Sequence, residues 1–198
     1  MSTNRWTILL VLFLARAAMG FRFQSIASVS PLLVADLAID FALPGALVGG
    51  YMLPGVIVAI PGALLGQRFG DKRIVLLGLA LMVLGSALVA GADRYAVALV
   101  GRVVSGAGAA LLNVLLAKMV ADWFVNRELS TAMAIPVTSW PLGIGLGLVT
   151  LGPLAVATSW ALAIQATAWV CAAALALVAA AYRSPAPVDE PRAPARMR

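Results

Sequence analysis

The chain has 198 residues, 63% of them hydrophobic and 11% charged, with a mean hydropathy of +1.01 and a formal net charge of +6. That composition marks an integral membrane protein, and the lysines and arginines form no dense face with stacking aromatics, which argues against nucleic acid as a partner. With no histidine, one cysteine (Cys171) and no carboxylate cluster, nucleophile elbow or phosphate-binding glycine loop, the sequence offers no metal, cofactor or catalytic pattern, and the chain is not expected to be an enzyme.

Six segments are long enough to cross about 30 Å of hydrocarbon, which takes about 20 helical residues. The expected spans are 6–33, 44–66, 74–92, 95–121, 130–153 and 158–182. The first opens with Arg5, an apolar run and Ala15-Arg16-Ala17, an imitation of a secretory signal. Its apolar pattern continues through Leu33, so an uncleaved span is expected. Arg16 would lie roughly 15 Å into it, near mid-membrane. Gly20, Phe23, Gln24, Ala27 and Ser30 share its helical face, a polar stripe suited to lining a cavity. Arg22 is turned about 120° away, where snorkelling and function are equally good readings.

Pro54, Pro61, Pro136 and Pro141 fall inside spans, which membrane helices tolerate when neighbours re-satisfy the freed carbonyls. In the fourth span Arg102, Ser105, Gly106, Ala109 and Asn113 share a side, and a guanidinium in hydrocarbon is a functional-site hypothesis by default. Lys118, four residues before Asp122, reads as a snorkelling ion pair. Trp140 beside Pro141 is a candidate lining residue. With the N-terminus inside, the cytoplasmic loops receive Arg5, Arg68, Lys72, Arg73, Arg127 and Arg183, and the outer loops only Arg94. The excess of positive charge predicts an inner-membrane protein with both termini cytoplasmic. The Pro/Ala-rich tail 184–198 is expected to be a disordered extension.

Arg16-x-x-x-Gly20 followed by Val34-Ala35-Asp36 recurs as Arg102-x-x-x-Gly106 followed by Val120-Ala121-Asp122, each residue displaced by 86. Three spans separate the copies, so the second enters from the opposite side, as in an inverted three-plus-three repeat. The expected fold is therefore all-α and integral to the membrane, with six transmembrane helices.

The chain resembles the N-terminal six-helix half of a major facilitator superfamily transporter. Arg102-Val-Val-Ser105-Gly106-Ala-Gly108 is similar to the family's fourth-helix motif, whose arginine lines the central path. Gln67-Arg68-Phe69-Gly70-Asp71-Lys72-Arg73 resembles the cytoplasmic loop signature, with Gln67 where the acid is expected, Asp71 where a base is expected and Ala63 where an upstream glycine is expected. The texture around Gly20, Phe23, Gln24, Asn113, Trp123 and Trp140 looks like the cyanate and nitroimidazole permease branch.

The resemblance implies alternating access around a site formed by Arg16, Phe23, Gln24, Arg102, Asn113 and Trp140, with the loop motif and Gly106 and Gly108 serving conformational change. The ionisable residues deep in the spans are all basic, which favours a small anion or carboxylate such as cyanate or nitrate. Six spans make one wall of such a pathway, so the lipid bilayer and a second six-helix bundle, as a homodimer or a separately encoded half, are the expected partners. The alternative is a non-transporting six-span interaction protein or a remnant of a carrier.

Overall fold

The computed structural model describes residues 4–124 and 128–183. Among them are six α-helices: α1 (Arg5–Leu37), α2 (Leu43–Phe69), α3 (Asp71–Ala90), α4 (Tyr95–Trp123), α5 (Leu129–Ala157) and α6 (Trp160–Ala181). All six are long and apolar enough to cross a membrane. The expectation for the tail 184–198, and for Arg127, lies outside the described residues.

Local chemistry sets several helix ends. The Asn4 side chain accepts from the Trp6 N–H and the Ser159 hydroxyl from the Leu162 N–H, two N-caps that satisfy otherwise orphaned donors. Pro44 enters α2 in its first turn, where its missing N–H is harmless. Between α2 and α3 the chain turns on Gly70 at φ +91°, a conformation glycine adopts without a side-chain clash. Pro31, Pro54, Pro61, Pro136, Pro141 and Pro153 all lie inside helices.

The two halves of the chain are built alike. Leu37 and Trp123, the last residues of α1 and α4, and Leu43 and Leu129, the first of α2 and α5, stand at the same displacement as Arg16 and Arg102. Packing follows the same relation: α1 lies on α5 as α4 lies on α2, and α3 on α4 as α6 on α1. The repeat is a repeat of folded structure, with its second copy inverted.

The core is stratified. Ile8 to Met19, Val75 to Met82, Leu111 to Val120 and Cys171 to Val178 contribute to one apolar cluster. Ile26, Leu33, Leu47, Val89, Ala98, Trp160 and Ile164 belong to a second. Between them four helices place polar groups: Arg22 and Ser25 on α1, Ser86 on α3, Arg102 and Ser105 on α4, Thr167 on α6, each fully buried. One end gathers Arg5 with Glu128, Lys118 with Asp71 and Asp122, and Lys72 on the last carbonyls of α6. At the other end the Trp160 indole donates to Asp36 at 2.8 Å.

Candidate functional site

Arg102 is the centre of the buried polar layer. Its Nε donates to the Leu47 carbonyl of α2 at 3.1 Å, and its terminal nitrogens donate to the Arg22 and Phe23 carbonyls of α1 at 3.4 and 3.3 Å. The guanidinium also lies 4.6 Å from the centroid of the Tyr51 ring, a cation–π contact strengthened by exclusion of water. Arg22 donates to the Ser25 and Ser105 hydroxyls at 2.7 and 3.2 Å. Arg22 is fully buried and does not snorkel: its terminal nitrogens bond these hydroxyls inside the bundle, while its Nε is buried without a hydrogen-bond partner. Among the described residues neither arginine has a carboxylate partner.

A cavity of about 240 Å³ opens beside this layer, toward the basic end. Its walls come from four helices: Arg16 and Met19 of α1, Tyr51, Met52 and Gly55 of α2, Gly106, Ala109, Ala110 and Asn113 of α4, and Trp140 of α5. The Nε of Arg16 and the hydroxyl of Tyr51 are buried without a hydrogen-bond partner. A buried unmade bond of this kind is expensive, so each is a group with capacity for a ligand. Rings continue behind the wall. Trp140 packs on Phe23 at 5.3 Å between centroids, and Phe23 on Tyr51 at 5.6 Å.

Of the residues expected to bind substrate, Arg16, Asn113 and Trp140 meet in this cavity, joined by Gly106. Phe23 does not line it and instead braces Trp140 and Tyr51. Gln24 packs on α5, where Gly147 has no side chain to hold it off. Arg102 is absent from the lining, because carbonyls of α1 and α2 and the Tyr51 ring enclose it completely. Only Arg16 of the α1 polar stripe reaches the cavity: Ser30 bonds back to the Ile26 carbonyl, and Gly20 lies where a Cβ would come within 2.6 Å of the Trp140 carbonyl. Tyr51 was not singled out from the sequence. An aromatic at mid-span, away from the interfacial belts where tyrosine is common, is the signal that could have found it.

The loop residues lie at the basic end. Gln67, Arg68 and Arg73 are exposed, and Gly70 makes the turn. Asp71 pairs with Lys118 of α4, and Lys118 is also 3.5 Å from Asp122, so the expected i,i+4 pair exists within a larger cluster. The acid that ties the loop to α4 is thus Asp71, not a residue at position 67. Lys72 donates at 2.7 Å to the Ala179 and Tyr182 carbonyls, satisfying the end of α6. Gly108 lies against Gly78 and lets α4 approach α3.

An inverted pair of three-helix units with an arginine-bearing cavity between its helices has the architecture of half a membrane carrier. The chain belongs to the Major Facilitator Superfamily, whose family model matches residues 11–197. That family consists of membrane transporters, not enzymes, and the chain is a multi-pass membrane protein. It is 24% identical over 159 residues to a hexuronate transporter of Bacillus subtilis, covering 80% of this chain and 38% of that relative. With the inner membrane transport protein YajR of Escherichia coli it shares 31% identity over 132 residues, 64% of this chain and 28% of the relative. The fold matches the inward-open xylose transporter XylE of E. coli with a TM-score of 0.79 at 15% identity, covering 92% of this chain and 49% of that one. The chain spans half or less of the length of these relatives.

Proposed function

We propose that the chain forms one half of a secondary transporter that moves a small anion or carboxylate by alternating access. The observation that carries this reading is the electrostatic character of the cavity. Arg16 lines it with an unpaired buried nitrogen, Arg22 and Arg102 stand in the adjoining layer, and no carboxylate lines it. Three guanidiniums in a low-dielectric setting make a positive field that an entering anion relieves. A cationic cargo would meet the same field as repulsion.

The second wall of the pathway is a second six-helix bundle, supplied by another copy or by a separately encoded half. In this reading the basic end faces the cytoplasm of an inner membrane, a placement that the excess of positive charge supports. Within this reading cyanate and nitrate belong to the set of cargoes to try, on the likeness to the cyanate and nitroimidazole permease branch. The similarity to a hexuronate transporter adds sugar acids to the trial set.

The test is reconstitution of the purified chain into liposomes, with its oligomeric mass measured in mild detergent and uptake of labelled anions compared with Arg16→Gln. A dimer with saturable uptake that the substitution abolishes is the expected result. A folded monomer without uptake overturns the self-sufficient carrier. Uptake indifferent to Arg16 overturns the anion site.

A further inference from the structure

We infer that the cavity selects a flat, largely apolar organic monocarboxylate over inorganic anions and over polyhydroxylated acids, with Trp140 as the specificity-determining residue. The inference rests on the anion reading above and adds the chemistry of the cargo's body. Its first support is the distribution of lining groups. One charge, Arg16, one amide, Asn113, and one hydroxyl, that of Tyr51, share the cavity with Met19, Met52, Ala109 and Trp140. A carboxylate on Arg16 uses the single cation, and the remaining wall offers apolar contact.

Size is the second support. On this half of the pathway the cavity offers about 240 Å³, well beyond the space that a single water needs. An anion of three or four heavy atoms would leave most of the apolar wall against water. A sugar acid would instead bury several hydroxyls against a wall with few partners, and each unmade hydrogen bond weakens binding.

The third support is the way Trp140 is held. It sits on α5 where Gly20 of α1 admits its backbone, and it begins a run of three rings, Trp140 on Phe23 on Tyr51, that ends beneath the Arg102 guanidinium. A ring locked by such neighbours loses little freedom when a ligand packs on it, which is the condition for a strong aromatic contact. The methionines opposite adapt to the outline of the body.

The experiment measures equilibrium binding of labelled benzoate to the full chain in lipid nanodiscs, with nitrate, cyanate and benzyl alcohol as competitors. Benzoate is expected to bind about tenfold more tightly than nitrate or cyanate, and benzyl alcohol, its uncharged counterpart, not to compete. Trp140→Ala should weaken benzoate about tenfold and nitrate far less, while Trp140→Phe restores most of the affinity for benzoate. Nitrate or cyanate binding as tightly as benzoate overturns the inference, as does a Trp140→Ala loss shared equally by all anions. Arg16→Gln separates this from the broader reading. If it abolishes binding of every anion while Trp140 proves indifferent, the anion site stands and the aromatic specificity falls. If anions bind equally well without Arg16, or none binds the unaltered chain, both fall.

Discussion

Arg102 illustrates how a charge persists inside an apolar bundle without an acid. Its planar fork reaches carbonyls on two helices at once, and its face rests on Tyr51. Lysine, a point charge on a flexible stem, cannot reproduce that span. The charge still carries a desolvation penalty, about 2.5 to 3.5 kcal/mol by insertion scales for a residue at mid-membrane. Replacing a whole buried ion pair by apolar side chains of similar volume is often neutral or stabilising, and loss of Arg102, which has no acid partner among the described residues, would leave no opposite charge uncompensated. Arg102→Met is therefore expected to keep or raise the thermal midpoint in detergent, while Arg102→Lys lowers it. If the buried layer supplies field to the cavity, Arg102→Met also weakens anion binding, by about 1 kcal/mol or a factor of roughly five. Equilibrium binding checks this, and unchanged affinity would leave Arg102 a packing residue alone.

At the scale of helices, the repeat places glycine at two close crossings beside the cavity. Gly20 of α1 meets the Trp140 carbonyl of α5, and Gly106 of α4 meets the Tyr51 carbonyl of α2. Without hydrophobic drive between helices in lipid, such close contact is a main source of association. Gly106→Val would push α4 from α2 and is expected to lower stability by about 2 kcal/mol. Gly145→Ala, where nothing lies within 4 Å, should leave it unchanged; thermal unfolding of both variants decides. The six-helix class and the repeat were legible in the sequence, because hydrocarbon demands long apolar runs and because Arg16 and Asp36 recur in register as Arg102 and Asp122. The faces were only partly legible. A rotation of 100° per residue says that Phe23 and Gln24 share a side with Arg16, but not that α5 covers the upper turns of that side through Gly143 and Gly147. The same limit hid Tyr51 and the enclosure of Arg102, which depend on neighbours distant in sequence.

For the whole molecule the decisive asymmetry is between its ends. Arg5, Arg68, Lys72, Arg73, Lys118 and Arg183 gather at one, through contacts such as Arg5 with Glu128 and the Trp123 indole with the Arg183 carbonyl. At the other Arg94 stands among Asp36, Asp40 and Asp93. A bias this one-sided predicts a single orientation, with the first group cytoplasmic. The native Cys171 is buried, so an introduced cysteine at an exposed loop position reports alone. Asp93→Cys is expected to react with a membrane-impermeant maleimide in intact cells, and Arg73→Cys only after permeabilisation. The reverse pattern would invert the proposed topology. Equal labelling of both from outside would mean two orientations, which permits an antiparallel pair. Labelling of Asp93→Cys alone restricts a second copy of this chain to the parallel arrangement, in which its own basic end lies beside this one and both arginine layers face a common midplane.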